Sequence, residues 1–422
     1  MKRRDFCKIL AAASAFPFQE SWVMAQNAPE VGTVYPGWRE GEMDIHFIFT
    51  GIGENCFLIF PDGTSMMMDA GDMPSSPVPR LPDTSRRAGE WIARYVERVN
   101  PAGKHVDYMM LSHYHSDHAG RFMPDAKMTT GRGEDYCLSG LAQVGEFLHF
   151  DTGFDRCWPH YESPIPAWPS ESPTFENFSK FVQWKQKNDG LKMEELQVGK
   201  LDQIRLRKNP EKYPNFHTRT ICRNGTCWTG KGEEAIHFLE ETPGRKGKSV
   251  PENSLSIASV FSYGPFRFYT GGDVSDGLYD EEGNRFAYEG MVGKVAGPVD
   301  VCKANHHAYK DAMKEEFVRE IQARVYVICV WDIHHIQDNT MTNMASRTLY
   351  PGDRVICPTL IPDGRKELYQ GKSWWENVEI CGGHVVVKVL NGGTDYKVYY
   401  LTANDESMTI KAVLGPWKSR GT

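Results

Sequence analysis

The chain has 422 residues, 40% of them hydrophobic and 12% aromatic, which is enough apolar material to bury a large core and excludes a disordered chain. That length suits one elaborated domain or two ordinary ones. Acidic side chains outnumber basic ones by 55 to 48, for a formal net charge of −7, so a generally basic nucleic-acid binder is not indicated.

The first residues read as an export signal. Lys2-Arg3-Arg4-Asp5-Phe6-Cys7-Lys8 precedes the apolar stretch from Ile9 to Phe18, and Val23-Met24-Ala25 offers a cleavage site. Paired arginines point to the twin-arginine route, which carries folded proteins, and so to a periplasmic or secreted product of residues 1–25 removal. Cys7 lies before the apolar stretch, which argues against a lipid anchor there. No later stretch is long and apolar enough to span a bilayer.

Asp44 to Phe49 and Cys56 to Phe60 read as consecutive strands, and a third ends at Met66-Met67-Met68-Asp69-Ala70-Gly71. Between Arg86 and Val99, the residues Ala88, Trp91, Ile92, Tyr95, Val96 and Val99 keep i, i+3, i+4, i+7 spacing, which predicts a helix packed on the sheet. Val106 to Leu111 is the next strand. From about Phe122 to Val250 the pattern is irregular and reads as an insertion over the core, with one helix opened by Ser172-Pro173 and closed by Gly190. In that stretch Cys222 and Cys227 flank the turn Arg223-Asn224-Gly225-Thr226, so a disulfide is expected between them in an oxidising compartment. Strand character returns at Leu255 to Phe261, Phe266 to Thr270 and Val325 to Val330. A terminal hairpin follows, with Val385 to Val389 and Tyr396 to Tyr400 flanking Asn391-Gly392-Gly393. The overall order is an α/β layered pattern with chemistry at strand ends.

The chemistry is concentrated directly after the strand that ends at Leu111. His113, His115, Asp117 and His118 stand within six residues there. Imidazole nitrogens suit Zn²⁺, and a carboxylate between histidines lets one short loop feed two neighbouring metals.

This loop, His113-Tyr114-His115-Ser116-Asp117-His118, resembles the His-x-His-x-Asp-His motif of the metallo-β-lactamase fold superfamily. Asp69 in Met68-Asp69-Ala70-Gly71, Asp273 in Gly272-Asp273 and His306 in Lys303-Ala304-Asn305-His306-His307 extend the resemblance over most of residues 44–360. It implies an αββα sandwich, two mixed β-sheets flanked by helices. The catalytic domain would occupy residues 43–370, interrupted by the insertion at about 122–250, and a C-terminal β extension would occupy 380–418.

The resemblance also implies a zinc-dependent, binuclear hydrolase. Its metal ligands would be His113 and His115 on one cation, Asp117, His118 and His306 on the other, and Asp273 as the bridge. Asp117 belongs also to the catalytic set. Asp69 would orient a ligand histidine, and His307 and Tyr309 would donate to a leaving group or phosphate oxygen. His335, in Trp331-Asp332-Ile333-His334-His335, matches a late family histidine beside the site. Two cations so held lower the pKa of a bound water toward ~7 and generate hydroxide as the nucleophile.

The sequence departs from the family pattern where the middle histidine usually stands. Asn253 occupies that position, and an amide oxygen is a weaker zinc ligand. The second site is therefore expected to be loose or completed by His149, His160, His217 or His237. This departure, with the doubled His306-His307, resembles the ComEC-like branch, related to the DNA-uptake competence protein, although Ala308 and Tyr309 replace that branch's Gly and Ser.

A phosphoester or phosphodiester is the bond that branch suggests, and Arg205, Arg207, Lys208, Lys212, Arg245, Lys246 and Lys248 could meet phosphates. An alternative is a lactone, lactam or other small ester or amide, covered by Trp158, Trp168, Trp184 or Trp228. A third reading is a non-catalytic envelope binding protein that retains the metal. Retention of six ligand types argues against it.

Overall fold

The computed structural model describes residues 30–73, 78–122, 130–132, 136–161, 172–237, 250–276 and 287–421. The export-signal residues, Trp168, Arg245, Lys246 and Lys248 lie outside them.

The first half of the chain lays down β1 (Met43–Phe47), β2 (Asn55–Ile59) and β3 (Ser65–Ala70), then helix α1 (Ala88–Val99), β4 (His105–Leu111) and the short helix α2 (Ser116–Ala119). Helix α3 (Gly140–Phe147), β5 (His149–Asp155), α4 (Pro173–Asn188) and β6 (Lys192–Met193) follow. The middle of the chain supplies β7 (Phe216–Arg223), β8 (Thr226–Trp228), β9 (Ala235–His237), β10 (Ala258–Tyr263) and β11 (Phe266–Thr270). Then come α5 (Tyr288–Ala296), β12 (Val301–Lys303), α6 (Glu315–Ile321), β13 (Val325–Ile328), α7 (Asp338–Ala345) and β14 (Val355–Pro358). The C-terminal strands are β15 (His384–Leu390), β16 (Asp395–Leu401) and β17 (Ile410–Lys418).

These strands form two mixed sheets. One runs β17-β16-β15-β1-β2-β3-β4-β5-β6 and the other β14-β13-β12-β11-β10-β7-β8-β9. The strands read as near-continuous apolar runs because both faces of each sheet are covered. Cys56, Leu58, Met66, Met68, Tyr108 and Met110 point between the sheets and meet Phe261, Phe268, Val301 and Val327. Their sequence neighbours Phe57, Ile59, Met67, Met109 and Leu111 point the other way, against the stripe of α1 and against α3 and α4. Helices α5 and α6 cover the outer face of the second sheet with Tyr288, Val292, Phe317 and Val318. The result is an α/β fold of two mixed sheets flanked by helices, as the metallo-β-lactamase fold requires.

The stretch read as an insertion over the core is built differently. Residues 122–250 supply β5 and β6 to the first sheet and β7, β8 and β9 to the second. β5 shows no clean apolar run because polar residues interrupt it: Asp155, its last residue, is fully buried, as is Arg156 after it. Cys222 and Cys227 do face each other in the β7–β8 register. Both are free thiols, and each lies 3.7 Å from an oxygen of its own, Ser256 O for Cys222 and the Tyr288 hydroxyl for Cys227. The terminal hairpin β15–β16 continues the first sheet beside β1.

Strands β3 and β4 run parallel, as do β11, β12 and β13. Their C-terminal ends therefore open at one edge of the sandwich, where open α/β sheets bind ligands. The backbone bond from Ile257 N to Ser112 O, 3.0 Å, ties the two edges together there.

Candidate metal centre

Asp69, at the end of β3, organises the loop that follows β4. Its Oδ1 accepts from Ser112 N at 2.7 Å, and its Oδ2 accepts from Ser112 Oγ at 2.7 Å and lies 2.9 Å from His118 Nδ1. The loop passes so close to the β3 end that a Cβ on Gly71 would lie 1.8 Å from Asp117 O, so only glycine fits. Glu54 N donates to that same Asp117 oxygen at 2.9 Å.

From the second sheet, Asp273 follows β11 and its amide donates to Ser256 Oγ at 3.2 Å. The segment after β12 turns sharply: His306, His307 and Ala308 have φ of 43°, 49° and 58°. Left-handed backbone at a non-glycine residue costs roughly 1–3 kcal/mol, so the surroundings must hold it. They do so through Asn305, whose Nδ2 donates to Glu289 Oε1 at 2.8 Å, and through Thr340 Oγ1, which donates to Ala308 O at 2.7 Å. Glu289 also accepts from Met313 N and Lys314 N. Burial, with Asp276 beside it, pushes the Glu289 carboxyl up to about 8.

The turn gives the two consecutive imidazoles different neighbours around Asp273, with their ring centroids 6.2 Å apart. On the inner flank, His307 Nε2 lies 3.0 Å from Asp117 Oδ2 and 3.4 Å from Asp273 Oδ2. His118 Nε2 lies 3.2 Å from Asp273 Oδ2 and 3.6 Å from Asp117 Oδ2. On the outer flank, His113 Nε2 is 3.8 Å and His306 Nε2 is 3.9 Å from the same Asp273 oxygen. His115 Nδ1 is 3.2 Å from His113 Nε2, and Asn253 Nδ2 is 3.1 Å from His306 Nε2. The imidazole that stands beside Asp117 and His118 is thus that of His307, while His306 lies farther from Asp273.

Nδ1 of four imidazoles faces an oxygen, leaving Nε2 toward the centre. His118 Nδ1 faces Asp69, His307 Nδ1 faces Cys329 O at 2.9 Å, His306 Nδ1 faces Asp311 Oδ1 at 2.7 Å, and His113 Nδ1 faces Ser112 Oγ at 3.1 Å. A carboxylate or carbonyl can only accept, and Ser112 Oγ gives its own proton to Asp69, so the proton of a neutral imidazole sits on Nδ1 and Nε2 is the nitrogen left to bind a cation.

The electrostatics describe the same centre. Burial opposes charge on His118, yet Asp273, Asp117 and Asp69 hold its imidazole well above the ordinary range. Against the same cost of burial, Asp273 and the hydrogen bond that the imidazole donates to Asp117 push His307 up to about 9. Burial would raise Asp273, but His118, His307 and His306 hold it well below the usual carboxylate range. His113 goes the other way, lowered by burial and by His118.

Sequence reasoning missed Glu54 and Lys303. Glu54 belongs with His118, Asp273 and His307 to one buried group of potential ligand atoms, all within 4.8 Å of one another. Its Oε2 is 3.3 Å from His307 Nδ1 and 2.6 Å from Lys303 Nζ. Lys303 Nζ also donates to Gly272 O at 2.6 Å and lies 3.6 Å from Asp273 Oδ1. Glu54, directly ahead of β2, carried no spacing signal.

His335 stacks on His307 with ring centroids 4.6 Å apart and 7° between planes, and burial and His307 lower its pKa well below the ordinary value. Tyr309 packs on His306 at 5.3 Å. His149, His217 and His237 are engaged with Asp151, Asp202 and Thr226, and His160 is exposed, so the histidine beside Asn253 is His306. Arg207, Lys208 and Lys212 are taken up near the other end of β4, by Asp151, Gly63 O and Glu40.

A cation fits these residues. His118 Nε2, Asp273 Oδ1 and Asn253 Oδ1 are buried and make no hydrogen bond. Separations of 3.0 to 3.6 Å among Asp117, His118, Asp273 and His307 match the edges of a coordination shell with bonds near ~2.0–2.2 Å.

Residues 49–123 match the family model described as the Metallo-beta-lactamase superfamily. The matched segment contains Glu54, Asp69 and the whole loop from His113 to His118. No curated protein matches the sequence. Among solved structures, the chain is similar to a protein of Parabacteroides distasonis ATCC 8503 provisionally described as a metal-dependent hydrolase, at 13% identity and a TM-score of 0.33, over 74% of this chain and 91% of that one. It is also similar to a point mutant of the CmlA beta-hydroxylase, at 9% identity and a TM-score of 0.37, over 74% of this chain and 52% of the other. The superfamily's fold implies a bound metal, often zinc, and the buried cluster at Asp273 is where this chain offers the ligands.

Proposed function

We propose that this protein is an exported, zinc-dependent hydrolase with two metal positions flanking Asp273. The observation that carries the reading is the convergence of Asp117, His118, Asp273 and His307 from both sheets, with buried donor atoms that no hydrogen bond satisfies. The inner position takes Asp117, His118 and His307, the outer position takes His113, His115 and His306 with the Asn253 amide oxygen, and Asp273 serves both.

Zinc bound there supplies Lewis acidity and lowers the pKa of a water, which makes the nucleophile available at neutral pH. The chain's own residues hold that arrangement. Asp69, Asp311 and Cys329 O keep the imidazoles in the tautomer that presents Nε2. Lys303 balances the Glu54 and Asp273 carboxylates. Tyr309 is positioned beside His306 to donate to a leaving group.

A phosphoester or phosphodiester is the favoured bond. Lys310 Nζ lies 5.5 Å over the Tyr309 ring, so a cation and a phenol stand together next to the open outer flank. Hydrolysis of a lactone or lactam is the second reading, favoured by Trp331, whose Nε1 is 3.4 Å from His307 Nε2 and whose ring would cover an apolar acyl group. Export rests on the leader at residues 1–25 and is tested by fractionation and N-terminal sequencing of the mature chain.

The deciding experiment assays the mature chain, zinc-loaded and chelated, against phosphodiester, phosphomonoester, lactone and β-lactam chromogens. Chelator-sensitive phosphodiester turnover that disappears in His118→Ala supports the first reading. Metal binding without turnover on any of the four classes supports a binding protein instead.

A further inference from the structure

A second cluster of metal-ligating side chains lies at the other end of β4, away from the Asp273 centre. His105 opens β4 and His149 opens β5, and the two are register partners in the parallel pair. Their rings stack at 5.2 Å and 27°. Asp151 lies two residues along β5 and so on the same face as His149. Its carboxylate meets both rings: Oδ2 is 3.1 Å from His105 Nε2 and Oδ1 is 3.3 Å from His149 Nε2. One ligand atom from each of the three lies within 4.8 Å of the other two.

We propose that His105, His149 and Asp151 form a separate surface site for a borderline divalent cation, with zinc as its occupant. Two imidazole nitrogens and a carboxylate oxygen are a zinc donor set, and water completes the shell. The 3.1 and 3.3 Å separations suit bonds near ~2.0–2.2 Å. The imidazoles are 46% and 44% exposed, so a cation reaches them without any opening of the fold.

Arg207 sets the strength of the site. Its Nη1 lies 3.3 Å from Asp151 Oδ2, the oxygen that also faces His105, so guanidinium and cation compete for one carboxylate. Arg207 has other holds, since Nη2 donates to Thr152 Oγ1 at 2.5 Å and Cζ sits 4.1 Å over the Tyr108 ring. It yields Asp151 without leaving its place. A bound cation clamps the starts of β4 and β5, and β4 is the strand whose far end carries the loop from His113 to His118. The site does not depend on the hydrolase reading, because none of its residues belongs to that centre.

Equilibrium dialysis of the full-length protein against buffered zinc, with the metal counted by atomic spectroscopy, tests the proposal. Wild type is expected to hold one more zinc per chain than His105→Ala or His149→Ala, with turnover unchanged in both variants. Zinc should raise the melting temperature of wild type more than that of either variant, and Arg207→Ala should bind the additional zinc several-fold more tightly. Equal zinc content in wild type and both variants at every free concentration would overturn the site.

Discussion

The two flanks of Asp273 use the same imidazole chemistry beside different neighbours. Inside, His118 and His307 are 0% and 1% exposed and face Asp117 as well as Asp273; outside, His113 is as buried as they are, and His306, 19% exposed, opens toward solvent beside the Asn253 amide. A buried flank with surplus carboxylate holds a cation tightly, because without one it must take up protons against the cost of burial. An open flank with a neutral amide among its donors holds a cation less tightly and leaves room for substrate. In the proposed centre the inner position would thus be the anchor and the outer position the working face.

Breaking the shared ligand should have the largest effect. Asp273→Asn is expected to lower turnover by about 10³-fold or more and to reduce zinc at both positions, as measured by steady-state kinetics beside metal analysis. Separating the flanks comes next. His307→Ala should lose the tightly held zinc, and His306→Ala should keep it while losing the equivalent that dialysis removes first. Equal behaviour of the two variants would erase the distinction between the flanks. Smaller effects follow from the residues that orient the imidazoles. Asp69→Asn should weaken the inner site, and Asp311→Asn the outer one, by about 10- to 100-fold in zinc affinity, read by competition with a chromophoric chelator.

The contrast between flanks also shows how much of the centre was legible in the sequence. Spacing alone exposed His113, His115, Asp117 and His118, because a tight loop at a strand end keeps neighbours in sequence together in space. Asp69 and Asp273 were legible as carboxylates that close strands. The roles of His306 and His307 were not, since the two are adjacent in sequence at a left-handed turn, and non-glycine residues give no composition signal for that turn. Glu54 and Lys303 were hidden for another reason. A buried ion pair is defined by two distant segments meeting, and neither segment carries the pattern by itself. In the fold, the amphipathic helix α1, the apolar strands and the turn that sets Cys222 opposite Cys227 read correctly, whereas β5, β6 and β9 did not, because Asp151 and Asp155 break the apolar run of β5 and the other two are only two and three residues long.

One further effect is on folding stability and not on zinc, and it concerns a residue outside the metal flanks. Phe49 N donates to His384 Nδ1 at 2.9 Å, which requires that nitrogen to be unprotonated. Burial, with His46, Arg98 and Lys411 nearby, lowers His384 to about 3. The folded state therefore binds fewer protons than the unfolded state between that value and the ordinary ~6.5, so this residue's stabilisation is complete above ~6.5 and is lost as pH falls. The loss is on the order of a few kcal/mol by the bottom of the range. Denaturant titrations at pH 7 and pH 5 should show a smaller difference in His384→Gln than in wild type.

The central claim is that side chains from both sheets gather around cations on either side of Asp273. Anomalous scattering at the zinc edge from crystals of the zinc-loaded protein tests it most directly. The account predicts one strong peak bonded to Asp117, His118, Asp273 and His307, and a second, weaker peak bonded to Asp273, His113, His115 and His306. Zinc-loaded crystals with no peak within bonding distance of Asp273 would contradict it.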